Sequence, residues 1–236
     1  MIDAVILAGG FGTRLQKIVS DVPKPLAPIR DTPFLDLLIN QLKSFSIVDR
    51  IVLAVGYKAG QIIDYYQESD FPIFFSKEDT PLGTGGALKK ALSLCKNSTI
   101  LALNGDCFND YSLDHFYEHF KEKKADISLL GRKEKDPSRY GTLLLEERTF
   151  RLVSFQEKVK NTKEGWISCG TYLFKKELLE NFSYPSPSFS LEHEVFPKLL
   201  TKAFYVYPCQ STFIDIGTEN SFKQAQTLLA NLCPES

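Results

Sequence analysis

Apolar residues fall into short runs separated by glycine, proline and polar clusters, and the period of each run predicts an element. Ile2 to Ala8 is an apolar run interrupted only by Asp3 and ending in Gly9-Gly10, which reads as a buried strand entering a tight turn. Phe34, Leu35, Leu37, Leu38, Leu42 and Phe45 recur at helical spacing behind Thr32-Pro33. Ile51 to Val55 predicts a second strand, Gln61 to Gln67 a short helix, Ile73 to Phe75 a third strand, Thr84 to Leu94 a helix and Ile100 to Leu103 a fourth strand. Strand and helix in regular alternation predict an α/β fold, with a parallel sheet covered by helices on both faces.

Beyond residue 125 the pattern changes. Ile127 to Leu130, Thr142 to Leu145, Leu152 to Phe155 and Ile167 to Phe174 are strand-like with no long helix between them, which predicts antiparallel strands added to the same sheet. Leu191 to Leu200 reads as a helix, Phe204 to Val206 as a strand and Glu219 to Leu229 as a closing helix. No linker or repeat divides the chain, so residues 1–236 are expected to form one domain, with residues 1–125 as one half of a site and 126–236 as the other.

Composition narrows the function class. The chain has 236 residues, a formal net charge of −1 and a charged fraction of 24%. Such a balance gives no global attraction to nucleic acid or an anionic membrane, so any anion site has to be local. No apolar run is long enough to cross a bilayer. The N-terminus lacks the basic start and long apolar stretch of a signal peptide. The five cysteines are widely spaced with no CxxC pair. That pattern fits reduced thiols and a cytoplasmic location.

The first strand leads into Gly9-Gly10-Phe11-Gly12-Thr13-Arg14. Ligands collect at the carboxyl ends of parallel strands, and glycines let backbone amides approach phosphate oxygens. Neither familiar phosphate loop matches. A GxGxxG fingerprint starting at Gly10 meets Leu15 where the third glycine belongs, and no GxxxxGK[ST] is present. The loop carries instead the first member of a cationic pair, Arg14 and Lys24, the latter in Val22-Pro23-Lys24-Pro25-Leu26. The flanking prolines are expected to hold Lys24 extended. A guanidinium fork and a point-charge ammonium suit a polyphosphate, although either alone could be a solvated loop cation.

Further along, Leu103-Asn104-Gly105-Asp106 ends a strand with a carboxylate, and Phe213-Ile214-Asp215-Ile216-Gly217 does the same. Pro81-Leu82-Gly83-Thr84-Gly85-Gly86-Ala87 opens a helix, with Thr84 as an ordinary cap on the plainer reading. Glu78 and Asp79 lie just upstream. A carboxylate there could accept the paired hydrogen bonds of the N1 and N2 edge of guanine, a pair of donors that uracil and thymine cannot offer. Glu192, beside His193 and Glu194, is a structural or rim position on the plainer reading and a candidate for a ligand hydroxyl. His115-Phe116-Tyr117-Glu118-His119 matches a reversed zinc-protease motif. Phe116 and Phe120, however, give this segment the apolar face of a covering helix.

Taken together, LAGGFGTRL and then PKPLAPI resemble the signature of the sugar-1-phosphate nucleotidyltransferases, GGxGTRL followed by PKP. The resemblance extends along nearly the whole chain. It implies a Rossmann-like nucleotidyltransferase domain in which Leu7, Ala8, Gly9, Gly10, Gly12 and Thr13 lie along the nucleotide. Gly83, Thr84 and Gly105 complete that side. Arg14 would hold the triphosphate tail, Lys24 would neutralise phosphate charge, and Asp106 and Asp215 would bind Mg²⁺. Tyr140, Gly141, Glu157, Lys158 and Gly170 look like the acceptor-sugar set, with Lys158 on the sugar phosphate. Two departures fall there: Val159 replaces the usual proline after Glu-Lys, and Ser168-Cys169-Gly170 replaces Asn-Ala-Gly.

Within the family, PKPLAPIRDTPFLDLL, EDTPLGTGGAL and FIDIGTENSFKQAQ look like the D-glycero-D-manno-heptose 1-phosphate guanylyltransferases. Mannose-1-phosphate guanylyltransferases and short uridylyl- and thymidylyltransferases are the alternatives. The expected substrates are therefore an NTP, GTP first, and a sugar 1-phosphate, with a homo-oligomer left open. A competing class is a non-catalytic nucleotide-sugar sensor on the same fold. Against it, Arg14, Lys24, Asp106, Lys158 and Asp215 are all in place for chemistry.

Overall fold

Along β1 (Ile2–Leu7) the side chains alternate between two cores: Ile2, Ala4 and Ile6 join one, Val5 and Leu7 the other. A strand buried on both faces needs helices on both faces. The computed structural model supplies them and describes residues 1–157, 164–183 and 186–233. A small hairpin, β2 (Pro28–Ile29) and β3 (Thr32–Pro33), precedes α1 (Phe34–Ser44), β4 (Val48–Val55), α2 (Ala59–Tyr66) and β5 (Ile73–Lys77). Then come α3 (Gly83–Ala91), β6 (Thr99–Asn104), β7 (Cys107–Asn109), α4 (Leu113–Glu122) and β8 (Ile127–Glu134). The strands β9 (Gly141–Glu146), β10 (Arg151–Glu157) and β11 (Gly165–Lys175) lead to α5 (Lys176–Glu180) and α6 (Phe196–Leu199). The chain closes with β12 (Phe204–Pro208), β13 (Phe213–Asp215) and α7 (Glu219–Leu228). Apolar stripes of α1, α2, α4 and α7 pack on one face of the sheet, and those of α3, α5 and α6 on the other.

The main sheet has nine strands in the order β5-β4-β1-β6-β11-β8-β12-β10-β9. The first four are mutually parallel, as the alternation predicts. β11 runs antiparallel to β6 and β8 and joins the two halves, and β10 is antiparallel to β12 and β9. The change of pattern after residue 125 is thus a change of strand direction within one continuous sheet.

Two irregularities shape the site. The register of β11 against β8 shifts between Ser168 and Tyr172, where Gly170 adopts φ +70°. The buried amide of Asn109 donates to the carbonyl of Cys169 at 2.9 Å, holding backbone there as the ladder is interrupted. Separately, β7 and β13 form a two-stranded ribbon that pairs Asp215 with Cys107, and the Ile216 amide donates to the Asp106 carbonyl at 2.9 Å. This ribbon brings the two strand-end carboxylates side by side.

The expected helix over Leu191 to Leu200 divides in two. Leu191–Val195 is a widened turn in which the Phe196 amide reaches the Leu191 carbonyl, followed by α6. Pro197 has no amide to donate, so a regular helical ladder cannot run through it.

Candidate active site

A cavity of about 430 Å³ opens at the carboxyl ends of β1 and β6. Leu7, Ala8, Gly9, Gly10, Gly12, Thr13 and Arg14 line it from the first loop, Gly83 and Thr84 from the start of α3, and Gly105 and Asp106 from the end of β6. First-turn amides of a helix lack partners within the helix; in α3 those of Gly85 and Gly86 donate to the Phe189 carbonyl at 3.0 and 3.4 Å, which leaves the Gly83 and Thr84 amides for an anion or a base edge. Gly12 adopts φ +61°, and a Cβ on it would stand 2.8 Å from Lys24 Cβ. Only glycine therefore lets the loop fold down onto that lysine. Arg14 is exposed and makes no hydrogen bond or ion pair to the described residues.

Lys24 is the first residue of a single turn, Lys24–Leu26, closed by the Ala27 amide on the Lys24 carbonyl. The extended backbone expected from its flanking prolines is thus replaced by a turn, which Pro25 tolerates because no donor is needed at that position. The Lys24 ammonium donates to Asp106 Oδ2. Burial raises the Asp106 carboxyl, but the Lys24 charge and the hydrogen bonds from Lys24 and the Cys107 thiol outweigh it, and the net shift is downward. Asp106 is therefore a carboxylate at neutral pH. Burial together with Asp106 and Asp215 holds the Cys107 thiol well above its ordinary value, so it stays protonated.

Asp215 is buried and heavily engaged. It accepts from the Gly217 amide at 2.8 Å, the Tyr140 hydroxyl at 2.8 Å, Ser221 Oγ at 3.2 Å and Arg139 Nη2 at 3.0 and 3.1 Å. A Cβ on Gly217 would lie 2.7 Å from Asp215 Oδ1, 3.6 Å from Lys24 Nζ and 3.8 Å from Arg14 Nη2. Both cations and the second carboxylate therefore converge on one small region. No cluster of three or more His, Cys, Asp or Glu suited to a metal exists among the described residues. Two adjacent carboxylates with room for substrate phosphates are nevertheless a fitting donor set for Mg²⁺, which takes hard oxygens and keeps waters.

A second cavity of about 150 Å³ shares Arg14, Asn104, Asp106 and Gly217 with the first. Its other walls include Arg139, Tyr140, Gly141, Ser168, Gly170, Glu192 and Asp215. Gly141 pairs with Glu157 in the β9–β10 ladder, which places the Glu157 backbone at that wall. Lys158 lies outside the described residues. Glu192 accepts from Thr84 Oγ1 at 2.6 Å, and Thr84 in turn receives the Leu191 amide at 2.9 Å. Thr84 is therefore not the cap of α3. Its hydroxyl ties the first cavity to the second, and the Leu82 amide at the start of α3 is taken by Glu78 Oε2 at 2.9 Å.

Several features were hidden from sequence reading. Glu78 lines the first cavity whereas Asp79 is 86% exposed and points away, so the two acids are not equivalent. Burial raises the Glu78 carboxyl above the usual range, partly offset by the Leu82 amide and Lys90. Arg139 lines the second cavity, and nothing in the pattern of Pro137-Ser138-Arg139 singled it out beforehand. Cys169, next to Gly170, turns into the core instead of the cavity. On α4, Phe116 and Phe120 are buried as the covering-helix reading requires, and His119 stacks edge-on against Tyr207 at 5.3 Å.

Comparison with known proteins agrees with this architecture. The model of the nucleotidyl transferase family matches residues 3–231. The D-glycero-alpha-D-manno-heptose 1-phosphate guanylyltransferase of Aneurinibacillus thermoaerophilus is 37% identical over 227 residues, 95% of this chain and 96% of that protein. Its counterpart from Campylobacter jejuni is 38% identical over 224 residues, covering 93% and 96%. The crystal structure of HddC from Yersinia pseudotuberculosis superposes with a TM-score of 0.83 at 35% identity, covering 96% of this chain and 99% of that one, and HddC is also known complexed with GMP-PN. With its family model matched over nearly its full length, the chain belongs to the nucleotidyl transferase family.

Proposed function

We propose that the chain transfers a guanylyl group from GTP to D-glycero-α-D-manno-heptose 1-phosphate and releases pyrophosphate. The observation that carries this reading is the junction of the two cavities at Arg14, Asn104, Asp106 and Gly217. A nucleotide in one and a sugar phosphate in the other would meet there. The choice of guanine is supported by Glu78 on the wall of the larger cavity and by the names of the two bacterial relatives. Residues 1–125 form the nucleotide half, and 126–236 supply the acceptor half.

The backbone from Leu7 to Thr13, with Gly83, Thr84 and Gly105, bounds the nucleotide. Arg14 takes the leaving pyrophosphate and Lys24 the reacting phosphates. Asp106 and Asp215 would hold Mg²⁺, which when bound neutralises phosphate charge. Tyr140, Gly141, Glu157, Gly170 and Glu192 bound the sugar, and Lys158 pairs with its phosphate. A phosphate oxygen of the acceptor attacks the α-phosphorus in line as pyrophosphate departs. That oxygen is already ionised near neutral pH, so no general base is required, and catalysis rests on positioning and charge neutralisation. A cytoplasmic setting belongs to the same proposal and is supported by five cysteines of which none is paired with another.

The test is pyrophosphate release with Mg²⁺, each of GTP, UTP, dTTP, CTP and ATP, and a panel of heptose, mannose, glucose and N-acetylglucosamine 1-phosphates. Release with GTP and the heptose substrate is expected. Release with another pair would remove the substrate assignment, and nucleotide binding without release across the panel would favour a sensor.

A further inference from the structure

Asp215 is the better buried partner of a lopsided ion pair. Its side chain is 11% exposed, whereas that of Arg139 is 41% exposed. Every hydrogen bond of Arg139 to a described side chain runs through Nη2: two to Asp215, at 3.1 and 3.0 Å, and one to Ser221 Oγ at 3.5 Å. Nε and Nη1 have no such partner among the described residues, so more than half of the guanidinium fork is unused. If Nη2 withdrew, Asp215 would still be held by the Gly217 amide, the Tyr140 hydroxyl and Ser221 Oγ. The guanidinium carbon lies 5.4 Å from the centre of the Tyr140 ring, a surface over which it can pivot, and both residues line the acceptor cavity. Its origin is fixed, because Arg139 ends a single turn, Pro137–Arg139, whose start is capped by the Asp136 carboxylate on the Ser138 amide.

We propose that Arg139 exchanges Asp215 for the phosphate of the bound sugar 1-phosphate, and that this exchange couples metal binding to acceptor binding. The inference rests on the proposed role of Asp215 as a seat for Mg²⁺. A divalent cation at Asp215 and a guanidinium on the same carboxylate repel each other at a few ångströms. With that carboxylate taken by a divalent cation, Arg139 would turn into the acceptor cavity, where its planar fork matches phosphate oxygens in a bidentate manner. By reciprocity, a sugar phosphate that draws Arg139 away makes Asp215 a better ligand for the metal. In the resting protein the same pair keeps a buried carboxylate neutralised. Arg139 is thus a substrate-binding residue whose availability is set by Asp215.

The experiment is calorimetric titration of D-glycero-α-D-manno-heptose 1-phosphate into the unaltered protein and into Arg139→Met, Arg139→Lys and Asp215→Asn, each with and without Mg²⁺. For the unaltered protein, Mg²⁺ is expected to tighten acceptor binding by about fivefold or more, the usual scale of coupling between sites. Arg139→Met should bind roughly tenfold or more weakly than the unaltered protein with Mg²⁺, the scale of one lost charged hydrogen bond, and should no longer respond to Mg²⁺. Arg139→Lys keeps the charge without the fork and should recover part of the affinity, which separates lost recognition from misfolding. Asp215→Asn removes the negative charge that holds Arg139 and should bind the acceptor tightly without Mg²⁺, gaining nothing from its addition. Unchanged affinity and Mg²⁺ response in Arg139→Met would overturn the exchange. A full Mg²⁺ response in Asp215→Asn would instead show that the metal sits elsewhere, removing the premise. No binding by the unaltered protein would remove the heptose assignment and the exchange with it.

Discussion

Lys24 and Asp106 form an ion pair between the turn that succeeds the glycine loop and the residue just beyond β6, so the second member of the cationic pair and the first strand-end carboxylate are one unit. The pair sits where the two cavities meet. Replacing Lys24 by Met, or Asp106 by Asn, is expected to lower kcat by about 10²–10³-fold, the scale of one lost charge-stabilising group. Thermal unfolding should shift by only a few degrees, because Asp106 is more than a third exposed. The Asp106 carboxyl is depressed in the folded protein, so its contribution to stability is present above the unfolded value of about 3.9 and is lost as pH falls through the lower folded value. Steady-state rates and melting curves between pH 3 and 8 check both statements. A variant that unfolds while its residual specific activity is intact would contradict them.

Gly12 touches the same unit from above. Alanine there has to occupy φ +61° and place its Cβ 2.8 Å from Lys24 Cβ, where neither backbone nor side-chain stem yields easily. Left-handed backbone alone costs about 1–2 kcal/mol for a residue with a Cβ. Gly12→Ala is expected to lose roughly that much stability in urea unfolding, and to lose kcat because Lys24 is displaced. Equal activity in the two proteins would show that the loop does not position Lys24.

The clamp between Thr84 and Glu192 predicts a different signature. Thr84→Val removes a donor to Glu192 and leaves the Leu191 amide without its acceptor. An unsatisfied buried donor costs about 1–3 kcal/mol, and denaturant unfolding should show it. Because Glu192 lines the acceptor cavity, KM for the sugar 1-phosphate should rise more than KM for GTP. A change confined to the GTP term would place Glu192 outside the acceptor site.

Glu78 predicts a pH dependence of nucleotide binding. As a guanine acceptor it has to be ionised, yet burial raises its carboxyl above the usual range. GTP affinity should therefore weaken as pH falls from 7 towards 5, earlier than for an ordinary glutamate. The sign for stability is opposite. A raised carboxyl favours the folded state at low pH, and that contribution is lost as pH rises through the folded value. Glu78→Gln should flatten the binding profile and reduce discrimination between GTP and UTP. An unchanged slope in that variant would assign the effect to the nucleotide's own phosphates.

The length and locality of each feature decide how far it was readable beforehand. The first strand, its glycine loop and Lys24 lie close together in the chain, and their spacing pointed to one anion site; the structure brings the loop and Lys24 to the wall of one cavity. The helices α1, α3, α4 and α7 showed their apolar faces over two turns or more. The β7–β13 ribbon did not show, because strands of three residues are too short for alternation and their partners lie far apart in the chain. The role of Arg139 depends on that ribbon, since its carboxylate partner is placed by β13. The break at Pro197 was signalled by the residue itself but outweighed by the apolar run around it. Glu78 and Asp79 are adjacent acids, and only the direction of β5 into the turn before α3 decides which of them faces the cavity.

Attack by a phosphate oxygen of the acceptor on the α-phosphorus of GTP leaves every bond of the sugar 1-phosphate intact. It is tested by supplying heptose 1-phosphate with all phosphate oxygens labelled by ¹⁸O, together with unlabelled GTP and Mg²⁺, and weighing both products. Every label is expected to stay in the nucleotide-sugar, and the pyrophosphate to be unlabelled. Label in the pyrophosphate, or loss of a label from the nucleotide-sugar, would mean that a P–O or C–O bond of the sugar 1-phosphate is broken, and would contradict attack by its phosphate oxygen.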